Sequence, residues 1–148
     1  MPNLICAILT ISDTRTLQDD KSGDLLQQFA LADGHTVAER DLVRDDIYAI
    51  RAAVSNWIAN TAINVVITTG GTGFTGRDST PEALMPLFDK QIEGFGEIFR
   101  QLSYEEIGTS TIQSRAVGGL ANGTLIFSLP GSSGAVTTGW QKILHNQL

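Results

Sequence analysis

Apolar positions come in unbroken runs in some stretches of this chain and at helical spacing in others. Residues 4–12 (Leu-Ile-Cys-Ala-Ile-Leu-Thr-Ile-Ser) form a continuous apolar run that ends in the polar stretch Ser12-Asp13-Thr14-Arg15-Thr16. A run without alternation fits a central parallel strand covered on both faces. A loop of Asp, Lys, Ser and Gly then leads to Gly23. Residues 24–33 predict a helix with Leu25, Phe29 and Ala32 on one face and Gly34 as its stop. Residues 36–43 are a more polar strand, suited to a sheet edge. Asp45 or Asp46 caps the next helix, which runs to about Asn60 with Ile47, Ile50, Val54, Trp57 and Ile58 at helical spacing. Residues 64–69 are a third strand, and it breaks into Gly70-Gly71-Thr72-Gly73-Phe74-Thr75-Gly76.

Beyond that loop, Pro81 fits the first turn of a helix capped by Thr80, and Pro86 limits its regular length. Gly94-Phe95-Gly96 reads as a break, followed by a helix over 97–107 with Ile98, Leu102 and Ile107 apolar. Residues 116–120 and 124–129 are strand-like, and the Asn122-Gly123 pair between them is a hairpin turn. The last strand ends in Pro130-Gly131-Ser132-Ser133-Gly134, and a helix follows from about Ala135 with Val136, Trp140, Ile143 and Leu144 inward. Alternating strands and helices predict a three-layer α/β/α sandwich: a mostly parallel sheet with one antiparallel hairpin. In open sheets of this kind ligands sit beyond the carboxyl ends of the strands. Three loops fall there: 12–16, 70–80 and 130–134.

A length of 148 residues makes the chain a single domain over 1–148, able to bury a core without staples. The net charge of −6 argues against a non-specific nucleic-acid binder, so an anionic ligand must be held by local donors. The one cysteine, Cys6, forms no internal disulfide or zinc cluster and reads as a small core residue. No basic-plus-apolar leader and no run of membrane-spanning length is visible, so the expected location is the cytoplasm, with no membrane partner.

Gly71 to Gly76 matches the spacing GxGxxG, yet it is not a dinucleotide fingerprint. The helix is delayed by Arg77-Asp78-Ser79-Thr80-Pro81, and no strand ends about 20 residues on. No Walker Gly-Lys-Ser/Thr is present either. The loop is a long glycine-held turn, or a phosphate-type site furnished by Thr72, Thr75, Arg77, Asp78, Ser79 and Thr80. The 130–134 turn is an N-cap box or a second ligand loop. Asp13, Asp45 and Asp78 each border a strand end, where carboxylates hold Mg2+ beside phosphates. For Asp45 the alternative is helix capping, and for Asp13 an Asx turn. Arg77 clamps a phosphate or is solvated. Glu82 favours the helix dipole. Glu105-Glu106 is a solvated face. Trp57 and Trp140 are core residues, while His35 and His145 read as surface residues.

Four spaced segments carry a resemblance: Thr69-Gly70-Gly71-Thr72-Gly73, Arg77-Asp78-Ser79-Thr80-Pro81-Glu82-Ala83, Glu93-Gly94-Phe95-Gly96-Glu97 and Leu129-Pro130-Gly131-Ser132. Over nearly its whole length the chain resembles the MoaB/MogA family of molybdenum cofactor biosynthesis. Residues 99–110 (Phe-Arg-Gln-Leu-Ser-Tyr-Glu-Glu-Ile-Gly-Thr-Ser) are closer to its MoaB branch. The resemblance implies a three-layer α/β domain, assembled as a trimer or hexamer, that binds molybdopterin. It also implies other proteins of the same pathway as partners. Active members adenylylate molybdopterin with Mg-ATP and release pyrophosphate. Carried over, Asp78 is the catalytic, metal-linked carboxylate and Asp45 the second acid. Gly70, Gly71, Thr72, Gly73, Ser79, Thr80, Pro130, Gly131, Ser132 and Ser133 correspond to molybdopterin-binding positions. Ser12, Asp13, Gly94, Phe95 and Gly96 correspond to nucleotide-binding positions. Two other functions stay open: a non-catalytic molybdopterin-binding scaffold, and a nucleotide-cleaving enzyme on the same fold.

Overall fold

The strands are β1 (Ile5–Ile11), β2 (Thr36–Val43), β3 (Val65–Thr69), β4 (Lys90–Gln91), β5 (Gly118–Ala121) and β6 (Thr124–Leu129). They form one sheet in the order β2-β1-β3-β6-β5-β4 in a computed structural model that describes residues 3–148. The pairs β2–β1, β1–β3 and β3–β6 are parallel, and β6–β5 and β5–β4 are antiparallel. The polar strand β2 is at one edge, as its composition predicts. The turn between β5 and β6 is Asn122-Gly123, with φ of 50° and 77° and Ala121 paired with Thr124. Two successive positive φ values match the type I′ turn that suits the twist of a hairpin.

Helices α1 (Lys21–Ala32), α4 (Glu93–Ile107) and α5 (Ser133–Gly139) cover one face, and α2 (Ile47–Ala59) and α3 (Thr80–Leu84) cover the other. Successive residues of β1 feed both cores. Cys6 and Ile8 pack with Leu26, Phe99, Val136 and Trp140. Ala7, Leu9 and Ile11 pack with Ile50, Val54 and Leu84. This two-sided burial is why β1 shows no alternation. Cys6 is fully buried, and burial pushes its thiol up to about 11. It is a core residue without thiolate reactivity. After α5 the coil widens to a π-helical turn over Trp140–Leu144 and closes with His145–Gln147. No helix among the described residues is long and apolar enough to cross a membrane.

Several local expectations shift. Helix α1 begins at Lys21, three residues before the predicted start, because Asp20 caps it by accepting the Gly23 N–H at 3.1 Å. Its buried stripe is Ser22, Leu26 and Ala30, and Ala32 is exposed. Asp20 itself has no solvent exposure. Its Oδ2 takes the Thr10 hydroxyl at 2.5 Å and Arg40 Nη2 at 3.1 Å, and Arg40 Nη1 reaches Asp24 at 2.7 Å. Gly94-Phe95-Gly96 is the first turn of α4, not a break. Phe95 is driven into the core against Phe127 at 4.9 Å between ring centroids, and a Cβ on Gly96 would meet the Ala116 carbonyl at 2.6 Å. Ser79, not Thr80, precedes α3, which passes into a 3-10 turn at Met85, beside Pro86. Strand β4 is only two residues long and carries no apolar signal.

His35 is buried, contrary to expectation. Its Nδ1 accepts the Leu4 N–H at 3.2 Å, and its ring sits edge-on to Trp140. His145 is at the surface, as expected, with Nδ1 2.7 Å from Asp33 Oδ2, which also accepts Trp140 Nε1–H at 2.8 Å. Burial opposes ionisation of Asp33, but those two hydrogen bonds outweigh it and hold the carboxyl below its usual range. A depressed folded value stabilises the protein above about pH 4 and loses that contribution as pH falls through the folded value. Thermal melts between pH 3 and 7 should therefore show a shallower acid loss for Asp33→Asn than for the unaltered chain.

Candidate ligand site at the glycine loop

The loops after β3 and β6 meet at one end of the sheet, held by backbone and hydroxyl hydrogen bonds. Gly70 N–H donates to the Leu129 carbonyl at 2.9 Å, and the Thr69 hydroxyl donates to the Pro130 carbonyl at 2.9 Å. The Ser22 hydroxyl, from α1, donates to the Gly131 carbonyl at 2.6 Å. Gly70 has φ of 110°, and a Cβ there would lie 2.1 Å from the Ile11 carbonyl oxygen. Only glycine lets β3 turn outward this close to β1.

The two neighbouring aspartates after β2 divide the roles that the sequence left open. Asp46 caps α2 by accepting Tyr48 N–H at 3.1 Å. Asp45, 9% exposed, turns to the glycine loop, where Oδ1 accepts Ser79 N–H at 3.1 Å and the Ser79 hydroxyl at 2.6 Å. Asp78 lies on the same loop, half-buried, and its Oδ2 accepts Thr75 N–H at 3.0 Å and the Thr75 hydroxyl at 2.7 Å. Asp45 Oδ2 and Asp78 Oδ1 accept no hydrogen bond among the described residues.

Asp13 makes no Asx turn. Ser12 Oγ takes the local N–H groups of Thr14 and Arg15, at 3.2 and 3.0 Å. Asp13 instead receives a fork from Arg77, with Nε at 3.1 Å and Nη2 at 2.9 Å, and it accepts Asp45 N–H at 3.1 Å. The Arg77 guanidinium, then the Asp45 N–H, hold the Asp13 carboxyl below its usual range, and Asp13 in turn raises Arg77. Arg77 is thus paired with a carboxylate and joins the loops after β1 and β3. Thr80 is buried and ties the loop to itself, with its hydroxyl on the Gly70 carbonyl at 2.8 Å and its N–H on the Gly71 carbonyl at 3.0 Å.

Arg115 organises this loop, and no sequence pattern marked it. Its Nε donates to the Gly73 carbonyl at 2.7 Å and its Nη2 to the Asp78 carbonyl at 2.9 Å. Its Nη1 meets Glu82 Oε2 at 2.5 Å, so Glu82 is an ion-pair partner as well as a first-turn acid. Its backbone N–H donates to the Thr72 carbonyl at 2.8 Å. One planar guanidinium fixes both ends of the Gly73–Asp78 segment, a use that needs Arg and not Lys. Its main partners are backbone carbonyls, which leave no trace in side-chain spacing.

A cleft of about 290 Å3 opens beside the loop, lined by Thr72, Gly73, Pro130 and Ser132 together with the end of α4 and the start of α5. Ser132 is the N-cap of α5, with Oγ accepting Ala135 N–H at 3.1 Å, and it still faces the cleft. Glu106, expected on a solvated face, also lines the cleft. The structure thus brings Ser12, Asp13, Asp45, Gly70 to Gly73, Asp78 to Thr80 and Pro130 to Ser133 to one end of the sheet. Gly94, Phe95 and Gly96 stand apart in α4.

Among the described residues no group of three or more His, Cys, Asp or Glu is placed to hold a metal by itself. The donor set fits a different binding mode. Mg2+ takes one or two carboxylates and completes its shell with substrate phosphates and water. Asp45 and Asp78, each with an oxygen to spare, fit that use.

A family model described as a probable molybdopterin binding domain matches residues 7–148. The chain is 56% identical over 142 residues to molybdenum cofactor biosynthesis protein B of Escherichia coli K12, covering 96% of this chain and 84% of that one. A crystal structure of a molybdenum cofactor biosynthesis protein B superposes with a TM-score of 0.95 at 46% identity, covering 99% of this chain and 91% of that one. The tungsten cofactor synthesizing protein MoaB of Pyrococcus furiosus gives 0.87 at 38% identity, covering 98% and 92%.

Proposed function

Because the chain belongs to the molybdenum cofactor biosynthesis family, described as a probable molybdopterin binding domain, we propose that it is a molybdopterin adenylyltransferase. A phosphate oxygen of molybdopterin attacks the α-phosphorus of ATP. The bond from that phosphorus to the bridging oxygen breaks, and pyrophosphate leaves with the electron pair. AMP stays joined to molybdopterin. Transfer at phosphorus depends on positioning and on neutralising charge, more than on a nucleophilic side chain. The cleft and its loops supply the positioning.

The observation that supports this reading most is the pair Asp45 and Asp78. They converge on one loop, and each has one oxygen that accepts no hydrogen bond among the described residues. They would hold the Mg2+ that accompanies ATP, and that ion would supply charge neutralisation at the phosphates. Asp45 is oriented by Ser79, and Asp78 by Thr75 and by the Arg115 grip on its carbonyl. Gly70 to Gly73 and Pro130 to Ser133 bind molybdopterin, and Ser12 and Asp13 border the nucleotide. A cytoplasmic location and a trimeric or hexameric assembly belong to the same reading.

The test is ATP turnover with and without molybdopterin at known Mg2+. Pyrophosphate release that requires molybdopterin is the expected result. Molybdopterin binding without release would make the protein a scaffold, and AMP release without a pterin would make it a nucleotide-cleaving enzyme. Either outcome removes the adenylyltransferase assignment.

A further inference from the structure

Glu106 is the one ionisable side chain among the residues lining the cleft. It stands in the last turn of α4, where its Oε1 accepts the Thr138 hydroxyl at 2.6 Å. Lys142 Nζ lies 4.0 Å from the same oxygen, and the Glu106 side chain is 41% exposed. Oε2 accepts no hydrogen bond among the described residues. A carboxylate repels the phosphate that the loop end of the cleft is suited to receive. A ligand that spans the cleft would therefore need hydrogen-bond donors at the end that meets Glu106.

The cleft has that polarity. Thr72, Gly73, Ser132 and the amino end of α5 form one end. Thr138 stands six residues beyond Ser132, about 9 Å along the helix at 1.5 Å per residue. Thr138 fixes Glu106 at that distance. A second residue of the lining is also incomplete: Ser114 lines the cleft, and its hydroxyl oxygen is buried with no hydrogen-bond partner among the described residues. Such a group is costly unless a ligand or water completes it.

We propose that Glu106 reads the pterin ring of the ligand by accepting from its N3–H and its 2-amino group. A pterin presents these two donors side by side on one edge, and a carboxylate presents two acceptors at matching spacing. The phosphate then lies toward the glycine loop and α5. The inference rests on molybdopterin being the ligand. Glu106 acts here as a specificity-determining residue and takes no part in the transfer step.

The test is binding of a 6-hydroxymethylpterin phosphate against its 2-oxo analogue, a lumazine phosphate that has an acceptor in place of the 2-amino group. The unaltered chain should prefer the pterin roughly ten- to a hundredfold, the scale of hydrogen bonds to a charged group. Glu106→Gln should lose that preference while keeping its melting temperature, and Glu106→Asp should keep part of it. A preference that survives in Glu106→Gln overturns the role of Glu106 and leaves the molybdopterin reading standing. Binding of neither compound by the unaltered chain overturns both.

Discussion

Asp78→Asn should, if the proposed adenylyltransferase role holds, lower AMP transfer to molybdopterin by roughly a hundred- to a thousandfold, the scale seen when one preorganised electrostatic group is removed from a reacting centre. The fold should not change. Arg115 holds the Asp78 carbonyl and not its carboxylate, so the loop clamp is untouched. An Asn side-chain oxygen can still accept from Thr75, which meets Asp78 through one oxygen only. What the substitution removes is negative charge and the second oxygen. Pyrophosphate release at saturating molybdopterin measures the loss, and a thermal melt alongside it separates chemistry from folding. An Asp78→Asn protein with undiminished transfer would take Asp78 out of the catalytic role.

Asp20→Ala is the substitution expected to cost most in stability, about 3–5 kcal/mol, because it breaks a buried ion pair from one side. The Arg40 guanidinium keeps Asp24 and Gln27 but loses its buried partner. The Thr10 hydroxyl loses its acceptor, and α1 loses its cap. At roughly 2–4 °C per kcal/mol for a chain near this size, the melting temperature should fall on the order of 10 °C. The effect of charge can be told from the effect of the cap. Asp20→Asn keeps a cap acceptor and should lose less, and Arg40→Met in the Asp20→Ala background should recover part of the loss. A melting temperature unchanged by Asp20→Ala would show that this network contributes nothing net.

What the sequence revealed divides along physical lines. Buried strands are legible because burial on both faces demands unbroken apolar runs, and β1, β3 and β6 all show them. Asn122-Gly123 and Pro81 are legible because backbone geometry restricts which residues fit. The convergence of the three loops follows from parallel strands. The start of α1 was hidden because Lys21-Ser22-Gly23 is a weak helical opening, and its cap is secured by Arg40, twenty positions away on β2. Gly94-Phe95-Gly96 misled because glycines usually interrupt helices. Here Gly96 is required by a close backbone neighbour, and Phe95 is held by Phe127. Arg115 was missed for a physical reason. It acts on a segment distant in sequence, and local spacing records nothing of that. Local patterning alone could not separate Asp45 from Asp46; tertiary contact shows that Asp46 caps α2 and Asp45 faces the loop.

The sheet order also sets a schedule for synthesis. Val65 of β3 pairs with Leu125 of β6, sixty positions later in the chain. At roughly 5–20 residues per second, that partner leaves the ribosome some 3–12 s after β3 does. In that interval β1, β2 and β3 can pair, but β3 then forms a bare outer edge made of Val65, Val66 and Ile67. An apolar edge of this kind invites pairing with other chains. The nascent protein is thus most open to aggregation after its amino-terminal half has emerged and before β6 arrives, and slower translation of residues 70–124 lengthens that interval.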